Sequence, residues 1–208
     1  PKALEEAEVA RLLAAPTGDE PVARRDRAML EVLYGTGLRI SELVGLSLSD
    51  LDLSARPVRV FGKGAKERVV PVGRFASDAL EAWLAPGGRE ILVRSRTGRP
   101  RARDDDVAVF VNQRGGRLTR QGAWLILRSH AREVGLADRV TPHVLRHSCA
   151  THMVDHGADV RAVQELLGHA SITTTQIYTK VSTARLRAVY DDAHPRARHP
   201  RQRNASGV

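Results

Sequence analysis

Two β-rich runs, Val58-Arg59-Val60-Phe61 and Arg68-Val69-Val70-Pro71-Val72, flank Gly62-Lys63-Gly64-Ala65-Lys66-Glu67 in a chain whose apolar residues otherwise recur at helical spacing. They read as a β-hairpin, the one sheet the sequence marks firmly. A lone hairpin is only marginally stable in water, so helices must supply most of the core. The predicted fold is a single mainly α domain with a small β-hairpin, an α+β arrangement. Helical periodicity predicts helices over residues 3–15, 39–46, 74–84, 120–134, 142–156, 160–167, 172–178 and 184–193, and one from Pro21 that ends at Gly35 and Gly37. Residues 94–106 are charged, carry Gly98 and Pro100, and read as an exposed loop; residues 107–111 read as a brief strand. Residues 1–194 form the predicted domain, and 195–208 a basic tail, disordered beyond a short docked stretch.

Charge narrows the partners. Thirty-three Lys+Arg against twenty-four Asp+Glu give a formal charge of +9, with arginine in large excess over lysine. Such a surface favours a polyanion, and arginine pairs with phosphate oxygens in a bidentate way. No apolar run approaches the roughly 20 residues a bilayer span needs. The single cysteine, Cys149, excludes an internal disulfide and fits a reducing compartment, so a cytoplasmic location is expected.

Four segments hold residues suited to phosphate chemistry. In Gly62-Lys63-Gly64 the glycines leave the Lys63 ammonium unobstructed, although from these three residues alone a solvated turn lysine is the better reading. Arg39 follows Gly37 at the start of a helix, where free N–H groups favour an anion, and Glu42 lies three residues on, close enough to brace the guanidinium. His143 and Arg146 share a helix face, a proton carrier beside a charge holder. His169 lies in a junction between Gly168 and Ser171, and Tyr178 falls about two turns into the next predicted helix.

Competing readings attach to several of these residues. His143/His147 and His152/His156 have the i, i+4 spacing of helical zinc ligands, but no HExxH and no cysteine pair accompany them. Packing or capping is the better reading of His147 and His152. Cys149 reads as a small core residue, and Tyr34 and Tyr190 as half-buried amphipathic ones.

Together and in this order, the segments resemble the catalytic domain of the tyrosine recombinase (phage integrase) family, most closely its bacterial Xer branch. The resemblance runs from Leu4 to about Arg198 and is carried by YGTGLRISELVGL, VFGKGAKERVVPVG, TPHVLRHSCATHM, LLGHASITTTQIYT and AHPRA. It implies a catalytic set of Arg39, Lys63, His143, Arg146, His169 and Tyr178, with Glu42 supporting Arg39. The implied enzyme cleaves and rejoins DNA at a recombination site through a 3′-phosphotyrosine on Tyr178, needs no cofactor or metal, and serves chromosome dimer resolution. It further implies homo- or hetero-tetramers with a like or paralogous recombinase on double-stranded DNA, regulation by a DNA translocase, and an N-terminal DNA-clamping domain beyond this chain. The helix at 184–193 is expected to pack on a neighbouring protomer, folding back when alone, so that truncation at Val181 leaves folding intact. A type IB topoisomerase-like enzyme and a non-catalytic DNA-binding regulator remain the alternatives.

Overall fold

The computed structural model describes residues 2–52, 57–61, 67–94, 106–168 and 180–197. Its centre is a helix buried nearly all round. After α1 (Glu6–Ala14), helix α2 (Pro21–Thr36) buries every residue from Ala28 to Thr36, together with Arg25 and Asp26. Proline at its first turn and Gly37 in the left-handed region just past its end set its limits. A helix buried this far round must be enclosed by other elements, and its buried charges must be paired, Asp26 with Arg25 and Glu31 with Arg196. α4 (Arg74–Leu84) and α7 (Pro142–Asp155) pack along it, with α1 and α3 (Ile40–Gly45) beside them.

The hairpin pairs β1 (Pro57–Phe61) with β2 (Glu67–Pro71) in antiparallel register, Val58 opposite Val70 and Val60 opposite Arg68. Strand alternation turns Val58, Val60, Arg68 and Val70 inward and Arg59 outward. A 3-10 turn (Leu48–Asp50) precedes the hairpin, and helices α5 (Arg89–Arg94), α6 (Arg120–Glu133), α8 (Val160–Leu167) and α9 (Lys180–Ala193) follow it.

Most predicted helices are present with ends shifted by a few residues, and the hairpin is in place. Three expectations need correction. Residues 107–111 form no strand: Ala108 and Val111 make isolated bridges to Ser47 and Arg117, while Val109 donates its N–H to Leu46 and accepts from the Trp83 indole. Helix α5 occupies residues assigned to no element, with Leu92 buried. The predicted helix at 172–178 and most of the 94–106 loop lie outside the described residues.

The third correction concerns the C-terminal segment. Leu186, Tyr190 and Ala193 of α9, then His194 and Ala197, are buried in this chain's own core. The Tyr190 hydroxyl donates to the Gly35 carbonyl at 2.7 Å, Arg74 donates its N–H to Ala197 O at 3.0 Å, and the Arg196 guanidinium pairs with Glu31 while stacking on the Phe75 ring. α9 thus folds back on its own chain, as expected of the chain alone; the expectation that its removal leaves folding intact is what its burial argues against. The docked stretch continues through Ala197.

Candidate active site

The chain turns sharply where α2 ends. Gly37 has φ of 60°, and a Cβ there would lie 2.4 Å from Leu167 Cδ2, so only glycine lets the end of α2 come this close to the end of α8. Arg39 follows in extended conformation as the cap of α3, one residue before the helical turn the sequence suggested. Glu42 Oε2 accepts the Arg39 backbone N–H at 2.9 Å, and Glu42 Oε1 accepts Arg39 Nη1 at 3.1 Å. The bracing expected from the three-residue spacing is present.

Glu42 has a second partner that the sequence reading missed. From β2, Arg68 Nη1 and Nη2 donate to Glu42 Oε1 and Oε2 at 2.8 and 2.9 Å, a bidentate pair with both side chains almost completely buried. Strand alternation held the signal, since Arg68 shares its face with Val70, and an arginine turned inward needs a carboxylate. Burial pushes the Glu42 carboxyl up, but the Arg68 hydrogen bonds, the Arg39 N–H and the nearby guanidinium charges pull harder and leave it below the ordinary carboxylate range.

Arg146 enters from α7. Thr141 caps that helix by accepting the Val144 N–H, and Pro142 starts it, which fixes Arg146 one turn in. Its buried guanidinium donates from Nη1 to Gly37 O at 2.5 Å and from Nη2 to Leu167 O at 2.7 Å. Arg39 Nη2 donates to the next carbonyl, Gly168 O, at 3.4 Å. Two arginines thus share the carbonyl end of α8, where unsatisfied acceptors and the helix dipole favour cations. Burial, reinforced by the Arg39 charge and opposed by Glu42, pulls Arg146 down to about 10, which leaves it protonated at neutral pH. The Arg39 side chain is 47% exposed, so that charge faces solvent.

His143, one turn before Arg146, is exposed. With Arg146, His147, Val160 and Gln164 it borders a surface cavity of about 360 Å³ between α7 and α8. Arg39, Glu42, His143 and Arg146 are thus brought to one region. Lys63, His169 and Tyr178 lie outside the described residues.

The other candidates separate cleanly. His152 is buried, with Nδ1 2.8 Å from the Tyr34 hydroxyl and Nε2 2.8 Å from Leu4 O, a packing role as expected. His147 neither packs nor caps: it is exposed on the cavity rim. Cys149 is a core residue, its thiol pushed up to about 12 by burial. Tyr34 and Tyr190 are fully buried rather than half-buried, because each hydroxyl finds a partner inside. Among the described residues, no three His, Cys, Asp or Glu side chains gather as a metal site, and no helix is long and apolar enough to cross a membrane.

Comparison with known proteins adds an independent line. The phage integrase family model matches residues 2–185. Tyrosine recombinase XerD of Mycobacterium tuberculosis (strain ATCC 25618 / H37Rv) is 54% identical over 202 residues, covering 95% of this chain and 62% of that protein. The crystal structure of XerA recombinase superposes with a TM-score of 0.69 at 34% identity, over 94% of this chain and 66% of that one. XerH site-specific recombinase, solved bound to a palindromic difH substrate in a post-cleavage complex, superposes at 0.66 with 27% identity, over 92% of this chain and 53% of that one. The chain spans about three fifths of the length of the curated relative.

Proposed function

The chain belongs to the phage integrase family, and from that premise we propose that it is the catalytic portion of a site-specific DNA recombinase. The observation that carries the proposal is the convergence of Arg39 and Arg146 on the carbonyl end of α8, with His143 alongside. Two guanidinia held this way suit the non-bridging oxygens of one phosphodiester. Their charge stabilises the five-coordinate transition state as oxygen charge develops.

In the proposed reaction the Tyr178 hydroxyl attacks the scissile phosphorus. A P–O bond forms to the tyrosine oxygen, the bond to the 5′ oxygen breaks, and a 3′-phosphotyrosine remains. His143 takes the tyrosine proton, Lys63 protonates the leaving 5′ oxygen, and His169 adds a hydrogen bond to the phosphate. The 5′-hydroxyl of a partner strand then reverses the step, so the phosphodiester energy is conserved in the covalent intermediate. Glu42 supports Arg39. Strand exchange between two duplexes calls for four copies, so the proposed partners are a recombination site and further like or paralogous subunits. The proposed setting is chromosome dimer resolution at the cytoplasmic nucleoid, with a DNA translocase as regulator.

The test is covalent trapping on nicked, end-labelled recombination sites, with a mobility shift in parallel. An adduct with the wild-type protein and none with Tyr178→Phe, at equal DNA binding, is the expected result. Binding without an adduct in the wild type would instead favour a DNA-binding regulator.

A further inference from the structure

Arg68 lies on the hairpin, apart from the predicted catalytic set, yet it is the strongest partner of the carboxylate that holds Arg39. We infer that Arg68 is a positioning residue: by satisfying Glu42 from within, it keeps the Arg39 guanidinium turned outward for phosphate. The inference rests on the reading of the site given above.

The geometry carries it. Glu42 is buried, and both of its oxygens are taken by Arg68 at 2.8 and 2.9 Å; the Arg39 backbone N–H also reaches Oε2 at 2.9 Å, but the Arg39 guanidinium touches only Oε1, at 3.1 Å through Nη1. The side chains differ in access: Arg68 is 7% exposed and Arg39 47%. A buried carboxylate that loses its bidentate partner retains a strong demand for charge and donors. Among the described residues, the guanidinium already in contact with it is that of Arg39, which would close down on both oxygens and leave its outward pose. On its other side Arg68 lies close under the backbone at the end of α8. Gly168 sits over it with φ of 69°, and a Cβ there would lie 3.0 Å from Arg68 Nε. Gly168 O is the carbonyl that Arg39 Nη2 reaches, so Arg68, Glu42, Arg39 and the end of α8 close into one ring of contacts.

This differs from a merely structural salt bridge in its consequence for a double variant. Arg68→Met should trap Arg39, and adding Glu42→Gln should release it, because a neutral amide no longer demands a charge. The experiment measures phenylglyoxal labelling of Arg39 by peptide mass spectrometry, alongside adduct formation on a nicked recombination site. Labelling of Arg39 should slow several-fold in Arg68→Met and return towards the wild-type rate in Arg68→Met/Glu42→Gln. Adduct formation should fall at least tenfold in the single variant and recover in part in the double. Arg39 labelling that is unchanged in a folded Arg68→Met protein, or a double variant no better than the single, would overturn the inference. If Arg68→Met does not fold, Arg68→Lys carries the test: it keeps the charge but loses the bidentate fork, and slower Arg39 labelling is again expected, equal labelling again fatal. Absence of any adduct from the wild-type protein would count against the recombinase reading, while the labelling pattern would still decide the role of Arg68.

Discussion

Helix α7 serves two buried polar networks, and they handle the cost of burial in opposite ways. One is ionic: Arg146, Arg39 and Arg68 gather around a single carboxylate, Glu42, and the carbonyls of Gly37, Leu167 and Gly168 accept from Arg146 and Arg39. The other is neutral: Cys149 and His152 of the same helix meet Tyr34 and His194, and His194 stacks on Tyr190. There the roles alternate. His152 Nε2 faces the Leu4 carbonyl and must carry the proton, so Nδ1 accepts from the Tyr34 hydroxyl; His194 Nδ1 accepts the Arg196 N–H, leaving Nε2–H towards Cys149. Burial drives His194 down to about 3 and pushes the Tyr34, Tyr190 and Cys149 groups up, so these four stay uncharged. The difference teaches what each is for. A sealed, neutral network closes the C-terminal segment onto the core, whereas a surplus of guanidinium charge, part of it open to solvent, is suited to binding an anion.

The most damaging way to break the neutral side is to remove it. Truncation at Val181 deletes Leu186, Tyr190 and His194 from the core and should abolish cooperative unfolding. Tyr190→Ala alone should cost about 3–5 kcal/mol, in line with other large-to-small changes at buried aromatics. Thermal denaturation followed by circular dichroism checks both, and a truncated chain that melts cooperatively near the wild-type temperature would return α9 to the role of a peripheral arm.

On the ionic side, Glu42→Ala leaves the buried Arg68 without its carboxylate and should cost about 3–5 kcal/mol of stability by denaturant titration. Arg146→Ala is expected to act on the chemistry as well, raising the barrier to adduct formation by about 3 kcal/mol, roughly a hundredfold, on bound DNA. Near wild-type cleavage by that variant would remove Arg146 from its proposed role.

The smallest effect sharpens the contrast through pH. His194 is held far below its ordinary value, so between about pH 6.5 and 3 the unfolded chain binds a proton that the native chain refuses, and stability falls as pH falls through that window. His130 runs the other way. Hydrogen bonding to Asp26 raises it, burial opposes, and Glu133 helps to raise it, so its contribution is full below about pH 6.5 and is lost as pH rises through the raised native value. Melting temperatures from pH 5 to 8.5 should show a shallower acid decline in His194→Gln and a shallower alkaline decline in His130→Gln. Curves parallel to the wild type would contradict both assignments.

Much of this arrangement was legible in the sequence where the cause is local. Helical periodicity marked α2, α4 and α7, and three-residue spacing put Glu42 against Arg39. Interactions between distant segments were not legible. Arg68 meets Glu42 across 26 positions, and within its β-rich run it reads as one more polar residue. A short docked stretch was expected at the start of the tail, but not its partners: His194 and Arg196 sit among Pro, Arg and His, and dock because Glu31, Phe75 and Cys149 await them on other elements. The end of α8 as the meeting point of two arginines depends on carbonyl groups, which every residue carries and no side-chain pattern announces.

The most direct test of the central claim is to locate the covalent bond. Protein trapped on a nicked recombination site is digested with nuclease and trypsin, and the residual nucleotide is mapped by tandem mass spectrometry. The account predicts a 3′-phosphoryl nucleotide on Tyr178 that disappears in Tyr178→Phe. A nucleotide on any other residue, or an adduct that survives Tyr178→Phe, would contradict it.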